Sequence, residues 1–145
     1  MRFGRNFLAA VLAAAPIFAS AHEPAPQIRF KLGQSGADAQ LVRALDGAEA
    51  QAALYADRDA LLKYPTLKAH VWGFADDGEC TGSRCRDLAR ARAEAVRTWL
   101  VREGVAPERL QVDSFGTARP LENGSSPRNR RVEIGAVIEK RPAGR

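Results

Sequence analysis

Residues that build metal centres and nucleophilic sites are scarce in this chain: its 145 residues include 2 cysteines and 2 histidines. Cys80 and Cys85 alone do not make a structural zinc site, and their spacing is not the two-residue spacing of a redox motif. A block of single-sign charge is also missing. The 22 Lys and Arg stand against 17 Asp and Glu, a formal net charge of +5, so the charge pattern marks no nucleic-acid arm. No internal repeat or low-complexity segment occurs. No apolar run reaches the roughly 20 residues that a membrane-spanning helix needs.

What is present starts with Arg2 and Arg5, an apolar run from Phe7 to Phe18 and the small residues Ala19-Ser20-Ala21, the pattern of a cleavable signal peptide over residues 1–21. Phe7 to Ala21 is 15 residues, too short for an anchor. No Cys follows the run, so the new N-terminus near His22 offers no lipid attachment site, and the mature product is expected to be soluble. It carries 20 Lys and Arg against 17 Asp and Glu, a mildly basic balance that suits an anionic cell-envelope polymer. Its length fits one domain with one core. Export places Cys80 and Cys85 where thiols oxidise, so a local disulfide is expected. Closing so short a loop stabilises by roughly 2 kcal/mol and chiefly stiffens it.

Period-2 alternation predicts strands over Gln27 to Leu32, Leu67 to Gly73, Arg109 to Phe115 and Arg131 to Ile138. Helices are expected over Ala48 to Lys63, with Leu54, Tyr55, Leu61 and Leu62 on one face and Asp46 and Glu49 as a capping box, and over Arg84 to Glu103, with Leu88, Ala91, Ala95, Trp99 and Leu100 at helical spacing. Tyr64-Pro65 stops the first and Gly104 the second. Asp38 to Leu45 reads as either a helical turn or a loop. The order gives an α+β fold, a four-stranded mixed sheet with two helices packed on one face.

Three segments carry candidate chemistry. In Gly73-Phe74-Ala75-Asp76-Asp77-Gly78-Glu79, glycines flank three carboxylates at a strand end, which is either a ligand site or a solvated acidic loop. The number and alternation of acidic groups do not fit a calcium loop. Arg92, midway between Leu88 and Val96, lies on or beside the apolar stripe of its helix. It requires either an internal carboxylate partner or a ligand carboxylate for its planar fork, and the two can alternate. In Asn129-Arg130-Arg131-Val132-Glu133-Ile134 a polar triplet runs into the last strand, so Arg130 and Arg131 point to opposite faces. Arg84, Arg86, Arg90, Arg97 and Arg102 spread around their helix as a solvated surface.

Taken together, these segments resemble the OmpA-like peptidoglycan-binding domain. Its Gly-His-Thr-Asp is similar to Gly73-Phe74-Ala75-Asp76, its Leu-Ser-x-x-Arg-Ala-x-x-Val to the run from Leu88 through Arg92 to Val96, and its closing Asn-Arg-Arg-Val-Glu-Ile to Asn129 through Ile134. Leu100 to Leu110, with Gly104-Val105 and Arg109-Leu110, resembles the family's helix exit, and Gly116, Pro120 and Asn123 its Gly-rich turn. Phe74 and Ala75 stand where the family has His and Thr, and Cys85 where Asn is usual. The resemblance implies an OmpA-like domain over 27–139, between a lead-in at 22–26 and a tail at 140–145. It implies that Asp76 and Arg92 hold the zwitterionic end of meso-diaminopimelate in the stem peptide of peptidoglycan, Asp76 taking the ammonium and Arg92 clamping the carboxylate, with the helix N-terminus adding a favourable field. Ala75, Asp77, Asn129 and Arg131 would line or brace that site. Binding is noncovalent, with no catalytic residue, cofactor or metal. The implied partner is peptidoglycan, with outer-membrane or other envelope proteins besides it, and the implied location is the periplasm. On this reading the Cys80–Cys85 bridge fixes the loop that positions Asp76 relative to Arg92.

A reading from another class is an envelope protein-interaction module of the same fold, in which Asp76 and Arg92 pair with each other. An enzymatic reading takes Asp76, Asp77 and Glu79 as paired carboxylates for glycan cleavage, for which so short a chain has little groove-forming material. His70, mid-strand, reads as structural.

Overall fold

The computed structural model describes residues 26–37 and 40–137. The expected leader, most of the lead-in, Ile138 at the end of the expected fourth strand and the tail lie outside the described residues. In chain order the elements are β1 (Ile28–Arg29), α1 (Leu41–Ala44), α2 (Gly47–Lys63), β2 (Ala69–Phe74), α3 (Ser83–Arg102), β3 (Leu110–Gly116) and β4 (Arg131–Ala136). The sheet order is β1-β4-β2-β3, with β2 parallel to β3 and β4 antiparallel to both β1 and β2. This is the expected α+β arrangement around a mixed sheet. Among the described residues no helix is long and apolar enough to cross a membrane.

Alternation along the strands sets the two faces of the sheet. Ala69 and Val71 of β2, Leu110 of β3 and Val132 of β4 share one buried cluster with Leu54 and Leu61 of α2 and Ala93, Val96 and Leu100 of α3. Each large aliphatic in such a cluster contributes roughly 2 kcal/mol through burial. His70 and Trp72, between them on β2, stand half-buried on the other face, stacked on each other at 5.4 Å. At Gly73 α3 lies directly against the sheet: a Cβ there would lie 1.8 Å from the Ala89 carbonyl oxygen. A register shift follows at once, Phe74 pairing with Gly116. The strand end carrying Asp76 is thereby set against the first half of α3.

Three local expectations change. The first strand stops early because the chain turns at Leu32-Gly33, where Gln34 N–H donates to the Lys31 carbonyl, and Leu32 is 61% exposed. Leu62 is 44% exposed, because on a helix it sits about 100° round from the buried Leu61. The capping box does not form. The Asp46 N–H that Glu49 would accept from is already given to the Arg29 carbonyl, and Glu49 pairs instead with the Arg29 guanidinium at 3.3 Å. The undecided stretch 38–45 contains the short helix α1, and Leu41 and Ala44 bury into the core.

Candidate functional site

Arg92 is the largest wholly buried side chain, and all its donors are directed. Its Nε donates to the Gln34 carbonyl at 2.8 Å, and Nη1 to the Phe74 carbonyl at 3.2 Å. Nη1 and Nη2 also form a fork onto Glu79, 2.7 Å to Oε2 and 2.6 Å to Oε1, and neither side chain is exposed. The guanidinium lies 5.2 Å from the centre of the Phe30 ring. Two backbone groups complete the grip on the same carboxylate: Gly33 N–H donates to Oε1 at 2.8 Å and Asp76 N–H to Oε2 at 2.9 Å. Four N–H groups from the β1 loop, the end of β2 and α3 thus converge on one carboxylate. Burial would raise the Glu79 carboxyl, but Arg92 and the two backbone donors outweigh it and hold it below the usual carboxylate range.

Asp76, 1% exposed, is gripped separately. Its Oδ1 accepts from Ser126 N–H at 3.0 Å and Asn129 Nδ2 at 3.1 Å, and its Oδ2 from the Ser125 hydroxyl and from Gly78 N–H at 3.2 Å. Burial again works to raise its carboxyl, and these four donors override it and leave the value lowered. Asp76 and Arg92 therefore do not pair with each other. Glu79 stands between them, bonded to the backbone of one and the side chain of the other.

Asn129, in the 3₁₀ turn Pro127–Asn129, organises the loop that covers Asp76. Its Oδ1 accepts from Leu121 and Glu122 N–H, while Nδ2 donates to the Glu122 and Gly124 carbonyls besides Asp76. Gly78 lets this loop close, since a Cβ there would meet Ser125 Oγ at 2.1 Å. Ala75 is buried beside Cys85 and Ala89, and the exposed Asp77 shares with Asn123 and Asn129 the lining of a pocket of about 150 Å³. Arg131 is on the other face of the sheet. Its guanidinium lies 3.8 Å from the centre of the Phe74 ring, and its Nε donates to Glu133 at 2.6 Å. The structure thus brings Ala75, Asp76, Asp77, Arg92 and Asn129 to one end of the sheet and places Arg131 behind them.

Cys80 and Cys85 form the expected disulfide, with Cα atoms 5.1 Å apart. It ties the residue after Glu79 to the first turn of α3. Sequence reasoning placed Glu79 in the acidic cluster but did not identify it as the partner of Arg92. The available signal was its position three residues beyond Asp76, where a tight turn returns its N–H to the Asp76 carbonyl. Ser125 and Ser126, which seal Asp76, carried no signal beyond a turn-rich composition. Among the described residues no group of three or more His, Cys, Asp or Glu side chains is arranged to hold a metal ion.

Comparison with known proteins gives concordant results. Residues 44–133 match a family model described as the OmpA family. Over 51 residues the chain is 41% identical to the peptidoglycan-associated lipoprotein of Pseudomonas putida and 43% identical to that of Pseudomonas aeruginosa, each match covering 32% of this chain. The matches span 31% and 30% of those two proteins, under a third of their length. Among solved structures, the peptidoglycan-associated lipoprotein from Burkholderia pseudomallei superposes with a TM-score of 0.62 at 23% identity, covering 77% of this chain and 90% of that one. The C-terminal domain of Helicobacter pylori MotB superposes with a TM-score of 0.60 at 24% identity, covering 79% and 86%. At these identities the two structures bear on the fold alone.

Proposed function

Since the chain belongs to the OmpA family, we propose that it is a noncatalytic protein of the periplasm that binds peptidoglycan through the meso-diaminopimelate of the stem peptide. The supporting observation is the cradle around Arg92, whose four N–H groups hold a single carboxylate at 2.6 to 2.9 Å. A planar guanidinium with backbone donors beside it selects a carboxylate by geometry as well as charge. Diaminopimelate ends in a carboxylate and an ammonium on one carbon, so a ligand carboxylate on Arg92 brings its ammonium toward the acidic strand end at Asp76 and Asp77. Ala75 and Asn129 shape that end. Arg131 braces it from behind by holding Phe74. No bond is made or broken, and the site needs no nucleophile, cofactor or metal. Attachment to the outer membrane would run through a partner protein.

A protein-interaction module is the second reading, favoured by one observation: Asp76 accepts four hydrogen bonds and Arg92 is paired with Glu79, so neither charge needs a ligand. Cosedimentation of the purified protein with isolated sacculi separates the two. The first reading expects the parent to sediment and folded Asp76→Asn and Arg92→Lys variants to stay in solution. Sedimentation equal in all three, or absent in the parent, would transfer the assignment to the second.

A further inference from the structure

We infer that Glu79 is a built-in occupant of a carboxylate receptor, and that an incoming ligand carboxylate binds Arg92 only by displacing it. This rests on the proposed peptidoglycan reading for the identity of the ligand, but not for the existence of the receptor. Both oxygens of the Glu79 carboxylate are engaged, by Arg92 on α3, by Gly33 N–H on the β1 loop and by Asp76 N–H at the start of its own turn. Two of those donor residues, Arg92 and Asp76, are also held by groups other than Glu79. Arg92 is carried by α3 and tied to the Gln34 and Phe74 carbonyls, and Asp76 N–H belongs to a residue whose side chain is fixed from the 125–129 loop. Glu79 itself belongs to no helix or strand. Its loop is exposed at Asp77, Gly78, Thr81 and Gly82, and turns at Gly82 with φ +57°.

An open pocket of about 510 Å³ lies directly over this point, lined by Gly33, Asp77, Glu79, Thr81 and Arg84 among others. Arg84 and Asp77 in its lining carry opposite charges, and withdrawal of Glu79 into the pocket would uncover the cradle. The Cys80–Cys85 bridge restricts that withdrawal and so favours the closed form. A ligand that requires the open form binds with its intrinsic affinity reduced by the open fraction. If that fraction is a tenth or less, removing the Glu79 carboxylate strengthens ligand binding by about tenfold or more.

The test uses the full protein, its Glu79→Ala variant and its Glu79→Gln variant, which keeps the side-chain volume. Thermal unfolding is followed in sodium acetate, in sodium chloride at equal ionic strength, and in acetamide. Glu79→Ala leaves a buried guanidinium unpaired and should lower Tm by roughly 10 °C. Acetate, and neither chloride nor acetamide, should restore several degrees of it, while leaving the parent unchanged. Absence of this selective rescue overturns the receptor. In the second arm both variants should bind meso-diaminopimelate sacculi about tenfold more tightly than the parent. Rescue by acetate with sacculus binding no tighter than a binding parent overturns displacement but leaves the proposed function standing. Rescue with no sacculus binding by parent or variant supports the receptor and removes peptidoglycan as its ligand.

Discussion

Asp76→Asn changes one atom in the site and has a calculable cost. Both carboxylate oxygens of Asp76 accept from two donors each, Ser126 N–H and Asn129 Nδ2 on one, the Ser125 hydroxyl and Gly78 N–H on the other. An asparagine amide must turn its NH₂ toward one of the two pairs. Facing Ser126 N–H and Asn129 Nδ2, it meets two groups that can only donate. Facing the other pair it meets the Ser125 hydroxyl, which can reverse and accept, and Gly78 N–H, which cannot. The second orientation is better; it leaves the Gly78 N–H, on an exposed turn, to water and removes the charge from the remaining bonds. Hydrogen bonds to a charged group contribute about 1.5–3 kcal/mol and are about twice as strong as neutral ones, so a loss of roughly 2 kcal/mol is expected at pH 7. For a domain of this size that lowers Tm by roughly 10 °C. The Asp76 carboxyl is lowered in the folded protein. Its contribution is therefore present above the unfolded value near 4 and lost as pH falls through the folded value. Thermal unfolding of parent and variant across pH 2 to 7 should show a gap that narrows in acid. Equal stability at pH 7, or a gap constant with pH, would refute the reasoning.

Other residues give independent tests. Burial raises the Asp57 carboxyl to about 6 in the folded state from 3.8, so its destabilising effect is absent below the lower value, grows as pH rises toward 6 and is complete above it. Asp57→Asn should accordingly raise stability at pH 7.5 by about 1 kcal/mol, after allowance for the water that reaches it, and by nothing near pH 3.5. Denaturant melts at the two pH values check this. Replacing both Cys80 and Cys85 by serine should cost about 2 kcal/mol in the same assay, with far-ultraviolet circular dichroism unchanged. Gly73→Ala drives a Cβ into the Ala89 carbonyl. Because backbone must move, its cost should reach about 3 kcal/mol, the upper part of the overpacking range, read as a fall in the denaturant midpoint.

Much of this architecture was legible because its determinants are local. α3 runs 20 residues without Gly or Pro, and its apolar spacing puts Arg92 on or beside the apolar stripe, where a partner is required. The identity of that partner was not legible. Glu79 reaches Arg92 only through the conformation of the loop after β2, and another of its donors, Gly33, is 46 residues away in sequence. Asp76 presents the same difficulty, since the serines that bury it lie 49 and 50 residues further on. Alternation correctly separated Arg130, whose Nε donates to the Phe30 carbonyl, from Arg131 on Phe74, but could not say which face the site occupies. Leu32 went astray because strand alternation was continued to the edge of a turn that Gly33 had already begun.

On the proposed function, Arg92 recognises the side-chain carboxylate of diaminopimelate. Lysine-type peptidoglycan offers the same glycan and an ammonium at the corresponding place but lacks that carboxylate. Cosedimentation of the purified protein with sacculi of the two types, at equal mass and ionic strength, is the most direct measurement. Binding to diaminopimelate sacculi and at least a tenfold loss on lysine-type sacculi are expected, in keeping with the roughly 1.5–3 kcal/mol of a hydrogen bond to a charged group. Equal binding to both would contradict that recognition.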